Sequence, residues 1–351
     1  MDTHQEREHN VARQLAILDV VSRADGASSN EIAALLRQAM ERRGVSTPPG
    51  AWLDGVVRDA SMGISYVINP EVMTEARRRE LHSQPGTAVE AAAGFRGPQG
   101  RLHPPVQEVA IAEPVPGRSQ GLRAFLAVPE GAGPWPAVVM IHEAFAIDDV
   151  MLRQVQRMAS AGYLVLMPDL FSAGGPRRCL MATFRTLRAG EGRAFADIEA
   201  ARRTLLARGD CTGDVGVLGF CMGGGFALAS AAKGFGAASV NYGMIPKDVA
   251  DVVEGACPVV GSYGAKDRLL ARHVPRLEEA LDARSVTHDV KVYPSAGHAF
   301  LNDAPSGPAL LQPLLKLVSG AGPDPEAAAD AWARIELFFQ QHLVPEPPRK
   351  G

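Results

Sequence analysis

The sequence is poor in cysteine and carries no excess of charge of either sign. Its 351 residues include four cysteines, none of them in a C-x-x-C pair of the kind that holds a metal ion. The net charge of -3 indicates no basic surface for nucleic acid or an anionic membrane. No apolar run is longer than a β-strand, and the start MDTHQEREHN is too polar for a secretory signal. We therefore expect a cytoplasmic protein with reduced thiols that binds neither nucleic acid nor membrane.

What is present divides the chain into three segments. Residues 1–82 carry apolar residues at helical spacing, as in VARQLAILDVVSR and NEIAALLRQAMERR, and TEARRREL is predicted to form a further exposed helix. Residues 83–105 are rich in Gly, Pro and Ala, which predicts a linker. Between 106 and 345 strand-like runs alternate with helical ones, which predicts an α/β fold with a doubly wound, mainly parallel sheet.

The helical N-terminal segment has two interpretations. SSNEIAALLRQAMERRG has the form of a helix-turn-helix, but residues 1–100 hold eleven arginines and no lysine against thirteen acidic residues. This balance lacks the basic footprint that DNA binding requires. We therefore favour a small helical module that packs on the core, mediates self-association or covers a pocket.

Three chemically reactive side chains follow three of the predicted strands. Cys221 follows VGVLGF, Asp267 follows CPVVGSY and His298 follows HDVKVYP. The carboxyl ends of parallel strands meet at one edge of a sheet, and the chain order nucleophile, acid, histidine is that of α/β-hydrolases. A buried cysteine, a turn aspartate or a core histidine would each explain one residue alone. Their joint placement predicts a catalytic triad with Cys221 as the nucleophile.

The glycines in LGFCMGGG predict a sharp strand-to-helix turn around this cysteine. Gly219 and Gly223 remove side chains that would collide with the adjacent strand and helix. A helix that begins at Met222 points free backbone N–H groups at the site, where they favour a thiolate and can stabilise an oxyanion. We expect the second oxyanion donor in the loop after PAVVMIH, at the backbone N–H of Ala144.

Two familiar cofactor motifs are incomplete in this chain. HEAF at 142–145 lacks the second histidine of a zinc-binding H-E-x-x-H motif, because position 146 is alanine. GFGAAS at 234–239 lacks the third glycine of a dinucleotide fingerprint. Glu143 follows a buried strand, and we expect it to face the pocket; the alternative is a loop carboxylate in solvent.

The segment from about 106 to 343 resembles the dienelactone hydrolase family, the carboxymethylenebutenolidases. This segment is about two thirds of the chain, and its matching stretches are HEAFAI, AGYLVLMPDLF, FADIEAARR, VGVLGFCMGGGFALA, SYGAKD and YPSAGHAF. The resemblance implies an α/β-hydrolase fold and the opening of small cyclic enol-lactones that carry a carboxylate, during aromatic degradation. It also implies that no metal and no cofactor is needed.

The same resemblance assigns roles residue by residue. Cys221 matches the nucleophile, Asp267 the orienting acid and His298 the general base. Glu143 matches a carboxylate that contacts the resting thiol, swings away when substrate binds and helps to generate the thiolate. The backbone positions of the oxyanion hole match Met222 and Ala144.

Departures from the family pattern lie around the triad. The family enzymes place an arginine four residues after the histidine, where it holds the substrate carboxylate, whereas this chain has Asn302. A second substrate arginine lies upstream of the nucleophile, where PRRCLMATFRTLRAG offers Arg178, Arg185 and Arg188. These arginines alternatively form a solvated helix face. Loss of one of two carboxylate clamps weakens recognition of a carboxylated lactone.

Two hypotheses of function follow from these patterns. The first is a cysteine-dependent hydrolase of a lactone or ester, which acts through an acyl-enzyme on Cys221. The second is a non-catalytic ligand sensor, in which a hydrolase-like core is fused to a helical interaction module. The N-terminal extension and Asn302 support the sensor, and the complete triad favours the hydrolase. The natural substrate, the oligomeric state and the role of residues 1–85 stay open.

Overall fold

The computed structural model describes residues 3–21, 27–46, 53, 56–57, 104–145, 147–305 and 312–344. The chain divides into two compact units, Met1–Ala92 and Ala93–Gly351. The predicted helix TEARRREL and nearly all of the predicted linker lie outside the described residues. Within the described ranges no helix is long and apolar enough to cross a membrane.

The first unit contains two packed helices, α1 (Thr3–Val21) and α2 (Ser29–Arg42). A capping box starts α2: the Ser28 hydroxyl accepts from the backbone N–H of Glu31, and the Glu31 carboxylate accepts from the backbone N–H of Ser28 at 2.8 Å. The apolar residues at helical spacing form a small core of their own, which includes Ile17, Ile32, Leu36 and Met40. The periodic pattern of both segments therefore reflects a buried helical face.

One eight-stranded sheet organises the second unit. Its strands are β1 (Val106–Ala110), β2 (Arg123–Ala127), β3 (Trp135–Ile141), β4 (Leu164–Pro168), β5 (Cys211–Phe220), β6 (Ala238–Asn241), β7 (Val259–Gly264) and β8 (His288–Tyr293). They lie in the order β1-β2-β4-β3-β5-β6-β7-β8. Strand β2 is antiparallel to both of its neighbours, and the pairs from β4 to β8 are parallel. This is the α/β-hydrolase arrangement, so the predicted fold class is confirmed.

Helices cover both faces of the sheet. They are α3 (Asp149–Ser160), α4 (Pro176–Ala189), α5 (Arg193–Leu206), α6 (Met222–Ser230), α7 (Val249–Val252), α8 (Arg268–Ala271), α9 (Val274–Ala283), α10 (Gln312–Ser319) and α11 (Pro325–Leu343). Alternate residues of β3 enter two separate cores: Val139 joins the core with α5, α6 and α9, whereas Met140 joins the core with α3 and α11. A strand buried on both faces explains the continuous apolar run PAVVMI.

The structure differs from the sequence-based expectation at a few element ends. Helices α8 and α9 are separate, because Pro275 at the start of α9 has no N–H with which to continue α8. Strand β5 begins at Cys211, four residues before the apolar run, since its first half is a partly exposed polar extension. The sequence pattern does not indicate α10.

Candidate active site

The polypeptide is strained where β5 passes into α6. Cys221 lies at this turn with φ of 54° and ψ of -114°, a conformation that costs a side-chain-bearing residue about 1–3 kcal/mol. Its N–H donates to the carbonyl of Asn241 at 3.0 Å, and its own carbonyl accepts from Gly225 at 3.2 Å. The strained turn lifts the thiol above the carboxyl end of the sheet, which is the geometry of a nucleophile elbow.

Close backbone approach explains the two glycines that flank the thiol. A Cβ at Gly219 would collide with the carbonyl group of Gly223. A Cβ at Gly223 would collide with the carbonyl oxygens of Ile141 and His142 at the end of β3. The turn therefore excludes any side chain at either position, as expected from the sequence.

His298 and Asp267 meet beside Cys221, although 31 positions separate them in the chain. The His298 Nδ1 lies 2.6 Å from Oδ2 of the buried Asp267, so Nδ1–H donates to the carboxylate. The other ring nitrogen, Nε2, hydrogen-bonds the Cys221 sulfur. Burial lowers the pKa of His298, but the sulfur of Cys221 and the carboxylate of Asp267 outweigh it and raise this pKa well above the usual value. This environment favours an imidazolium.

Glu143 lies within a buried polar cluster next to the triad. Its side chain is 3% exposed rather than solvated, and its Oε1 accepts from Nδ2 of Asn302 at 3.1 Å. The hydroxyl of Tyr242 donates to the same oxygen from 3.4 Å and lies 3.5 Å from Oδ1 of Asn302. All three residues are buried, so the carboxylate is held by amide and hydroxyl donors in place of water.

Sequence reasoning missed Tyr242. This residue directly follows β6, at the same edge of the sheet as the triad, and the strand-end argument that identified Cys221 applies to it as well. Its ring lies against the imidazole of His298, with 5.1 Å between ring centroids. Burial raises the pKa of Tyr242 well above its usual value, and the proximity of Glu143 and Cys221 adds to this effect, so the phenol remains a donor.

Asn302 occupies a different environment from the one expected of a substrate ligand. It is 2% exposed and its amide is engaged with Glu143. The loop that carries it is tied to α3, since Gln154 donates to the carbonyl of Leu301 at 3.0 Å and Arg153 donates to Asp303. The structure thus places Asn302 beneath the carboxylate of Glu143.

The two expected oxyanion donors lie on adjacent elements. Met222 is the first residue of α6, so its N–H has no acceptor within the helix. Ala144 lies in the turn after β3. Both side chains are buried in the same core cluster. Their two segments pack together, since the carbonyl oxygens of Ile141 and His142 lie where a Cβ of Gly223 would be.

The candidate arginines lie on α4 and point away from the buried cluster. Arg178, Arg185 and Arg188 are exposed, whereas the buried side of this helix carries Cys179 and Leu187. This placement agrees with the solvated helix face considered as their alternative. In the described ranges no group of three or more His, Cys, Asp or Glu side chains is arranged to hold a metal ion.

Comparison with known proteins covers about two thirds of the chain. A model of the dienelactone hydrolase family matches residues 122–343. The carboxymethylenebutenolidase of Rhodococcus opacus is 27% identical over 238 residues, which cover 63% of this chain and 86% of the relative. A Yersinia pestis protein provisionally named carboxymethylenebutenolidase is 29% identical over 253 residues, which cover 67% of this chain and 89% of that protein. The crystal structure of a provisionally assigned dienelactone hydrolase from Klebsiella pneumoniae superposes with a TM-score of 0.55 at 27% identity, covering 68% of this chain and 99% of the other.

The sheet order and the strained turn before α6 define an enzyme of the α/β-hydrolase class. Within that class the chain belongs to the dienelactone hydrolase family, because the family model spans most of the sheet and both helical layers. The resemblance and the enzyme class expected from the sequence are both confirmed.

Proposed function

We propose that this protein hydrolyses a small-molecule lactone or ester through an acyl-enzyme on Cys221. The observation that carries the proposal is the alignment of Asp267, His298 and Cys221, with the 2.6 Å contact that fixes the imidazole. Asp267 holds Nδ1–H, so the other ring nitrogen faces the sulfur and takes its proton. A thiolate and an imidazolium then form the resting pair.

The reaction follows in two steps from this pair. The Cys221 sulfur bonds to the substrate carbonyl carbon, and the carbonyl electron pair moves to oxygen, which accepts from the N–H groups of Met222 and Ala144. The tetrahedral intermediate expels the alcohol oxygen, which takes the proton of His298. Water then gives a proton to His298 and attacks the thioester, which releases the acid and restores the thiolate–imidazolium pair.

Glu143 is proposed to influence the charges of the resting thiolate–imidazolium pair. It lies in the buried cluster with Asn302 and Tyr242, next to the triad. A carboxylate there favours a proton on the imidazole of His298, whereas its like charge opposes the thiolate, so it moves aside when substrate enters. Held by Asn302 and Tyr242, it has a defined resting position.

Substrates without a carboxylate fit this site best. The position that would offer a cationic clamp is Asn302, whose neutral amide is already bonded to Glu143. Any remaining clamp falls to Arg178, Arg185 or Arg188, all exposed on α4. A substrate carboxylate near the buried Glu143 would also meet a like charge. We therefore propose a neutral lactone or ester as the preferred substrate.

The test is hydrolysis of p-nitrophenyl acetate and of a panel of lactones with and without a carboxylate. We expect Cys221→Ala to lower turnover by about 10³-fold or more, since it removes the nucleophile. The control is Cys179→Ala, which removes a buried thiol of α4 and leaves the triad intact. Full activity of Cys221→Ala, or a wild type inactive on the whole panel, would refute the proposal.

Iodoacetamide separates the hydrolase from the sensor hypothesis. Fast alkylation of Cys221 with a plateau at neutral pH indicates a resting thiolate, whereas slow alkylation that rises only at alkaline pH indicates an ordinary thiol and favours the sensor.

Residues 1–82 are proposed as a helical module joined by a linker over 83–105. Sedimentation of the full chain measures whether this module mediates self-association.

A further inference from the structure

A fully buried histidine lies next to the site and has no part in the proposed chemistry. His142 follows β3 directly, and its ring contacts two backbone groups. Nδ1 lies 2.7 Å from the carbonyl oxygen of Glu143, and Nε2 lies 3.2 Å from the backbone nitrogen of Leu170. A carbonyl can only accept and an amide N–H can only donate. The two partners therefore define a neutral ring that donates from Nδ1 and accepts at Nε2.

The surroundings hold this ring rigidly. Phe171 meets it edge-on, with 4.9 Å between ring centroids. The segment that supplies Leu170 and Phe171 is itself fixed, because the carboxylate of Asp169 accepts from the Phe171 N–H at 2.9 Å and from Arg123 at 2.6 Å. Burial lowers the pKa of His142. The hydrogen bond to the Glu143 carbonyl and the charge of Asp169 raise this pKa by a smaller amount. A neutral ring is what both hydrogen bonds require.

The peptide between Glu143 and Ala144 is one planar unit. In a trans peptide the C=O and the N–H point in opposite directions and rotate together. A donor that holds the Glu143 carbonyl therefore also sets the direction of the Ala144 N–H. This segment is packed against the start of α6, since the carbonyl oxygens of Ile141 and His142 lie where a Cβ of Gly223 would be.

We propose that His142 is a positioning residue, which holds the Glu143–Ala144 peptide so that the Ala144 N–H points at the developing oxyanion. The inference rests on the proposed function, in which that N–H is an oxyanion donor. Without the imidazole the peptide can rotate, and a donor misplaced by about 1 Å loses much of its effect on the transition state.

Two variants of the full chain separate the two hydrogen bonds of the ring. In His142→Asn the amide nitrogen stands at the same covalent distance from the backbone as Nδ1 and can still donate to the Glu143 carbonyl. In His142→Gln the amide oxygen reaches the place of Nε2 and can still accept from Leu170, but no donor remains for Glu143. Each variant loses one buried hydrogen bond, so a merely structural role affects both alike.

The measurements are kcat and KM for p-nitrophenyl acetate, the thermal unfolding midpoint and the rate of Cys221 alkylation by iodoacetamide. We expect kcat/KM to fall about 10-fold to 100-fold in His142→Gln, chiefly through kcat, and less than about threefold in His142→Asn. Alkylation should change less than about twofold in both, because displacement of iodide forms no oxyanion. His288→Gln is the control, since its Nδ1 donates to the Val286 carbonyl at 2.9 Å, on edge strand β8.

Equal kcat/KM in the two His142 variants, or a loss greater in His142→Asn, would overturn the inference. A parallel loss of alkylation in His142→Gln would also overturn it, because the effect would then lie in the thiol. If His142→Gln unfolds, His142→Leu replaces it and is expected to show the same loss, as leucine fills the space without a donor. Activity that survives in Cys221→Ala refutes the proposed function itself, whereas an inactive Cys221→Ala beside equal His142 variants refutes this inference alone.

Discussion

The amide of Asn302 gives a direct test of what holds Glu143 in its place. Nδ2 of Asn302 donates to Oε1 of Glu143 at 3.1 Å, and both side chains are buried. Leucine has nearly the same shape as asparagine but no donor. Asn302→Leu therefore removes this hydrogen bond while the carboxylate stays buried.

The size of the effect follows from the charge on the acceptor. A hydrogen bond to a charged group contributes about 1.5–3 kcal/mol, and the upper half of this range applies because the buried carboxylate is left with one donor fewer. We expect Asn302→Leu to lower the free energy of unfolding by about 2–3 kcal/mol. At about 2–4 °C per kcal/mol for a domain of this size, the melting temperature falls by about 5–10 °C.

The same bond is expected to matter for activity, because it orients Glu143 beside the thiol. Tenfold in rate corresponds to about 1.4 kcal/mol, so the loss of part of this bond energy from the reacting state lowers kcat/KM by about 10-fold to 30-fold. The assay is hydrolysis of p-nitrophenyl acetate, with thermal unfolding of the same samples. Asp251→Asn is the control, since its exposed carboxylate lies 3.9 Å from Arg284 and such an ion pair contributes little.

A second substitution at the same position adds a pH signature. Asn302→Asp keeps the shape and brings two carboxyl groups together, which cannot both ionise readily. We expect its activity and stability to recover toward pH 5, where one group is protonated, and to fall toward pH 8. Wild-type stability and kcat/KM in Asn302→Leu would refute the view that Asn302 holds Glu143.

Two further predictions concern the triad and the turn that carries it. Asp267→Asn removes one of the effects that raise the pKa of His298. The alkaline limb of the pH profile of kcat/KM, where the imidazolium loses its proton, should therefore move to lower pH. An unmoved limb would contradict the pairing of Asp267 with His298. Gly223→Ala forces a Cβ against the carbonyl of Ile141 and should cost more than about 3 kcal/mol of stability in urea unfolding, whereas Gly209→Ala, with no atom within 4 Å of the added Cβ, should be tolerated.

Much of the fold and the triad could be predicted because both depend on local signals. Apolar runs of strand length alternate with helical patterns, and the residue after each strand lies at a known edge of a parallel sheet. This reasoning identified Cys221, Asp267 and His298, and it extends to Tyr242 at the end of β6. Gly219 reflects a local close approach to the carbonyl of Gly223, whereas Gly223 leaves room for the distant end of β3.

The partners of the polar side chains could not be predicted in the same way. Asn302 and Glu143 are 159 positions apart, and the loop after His298 must reach the segment after β3 before their side chains meet. The hydrogen bond from His142 to the carbonyl of Glu143 is local in sequence, yet the direction of its ring depends on Leu170, which is 28 positions away. No periodic pattern encodes such contacts.

Local physics thus specifies the order of strands and helices, the tight turn at Cys221 and the placement of Cys221, Asp267 and His298 after three strands. Burial is what assigns Asn302 to Glu143 and the exposed side of α4 to Arg178, Arg185 and Arg188. A polar side chain enclosed by other segments must find its hydrogen-bond partner among whatever those segments bring to it. The tertiary structure therefore determines the hydrogen-bond partner of Asn302, and the sequence around Asn302 does not reveal it.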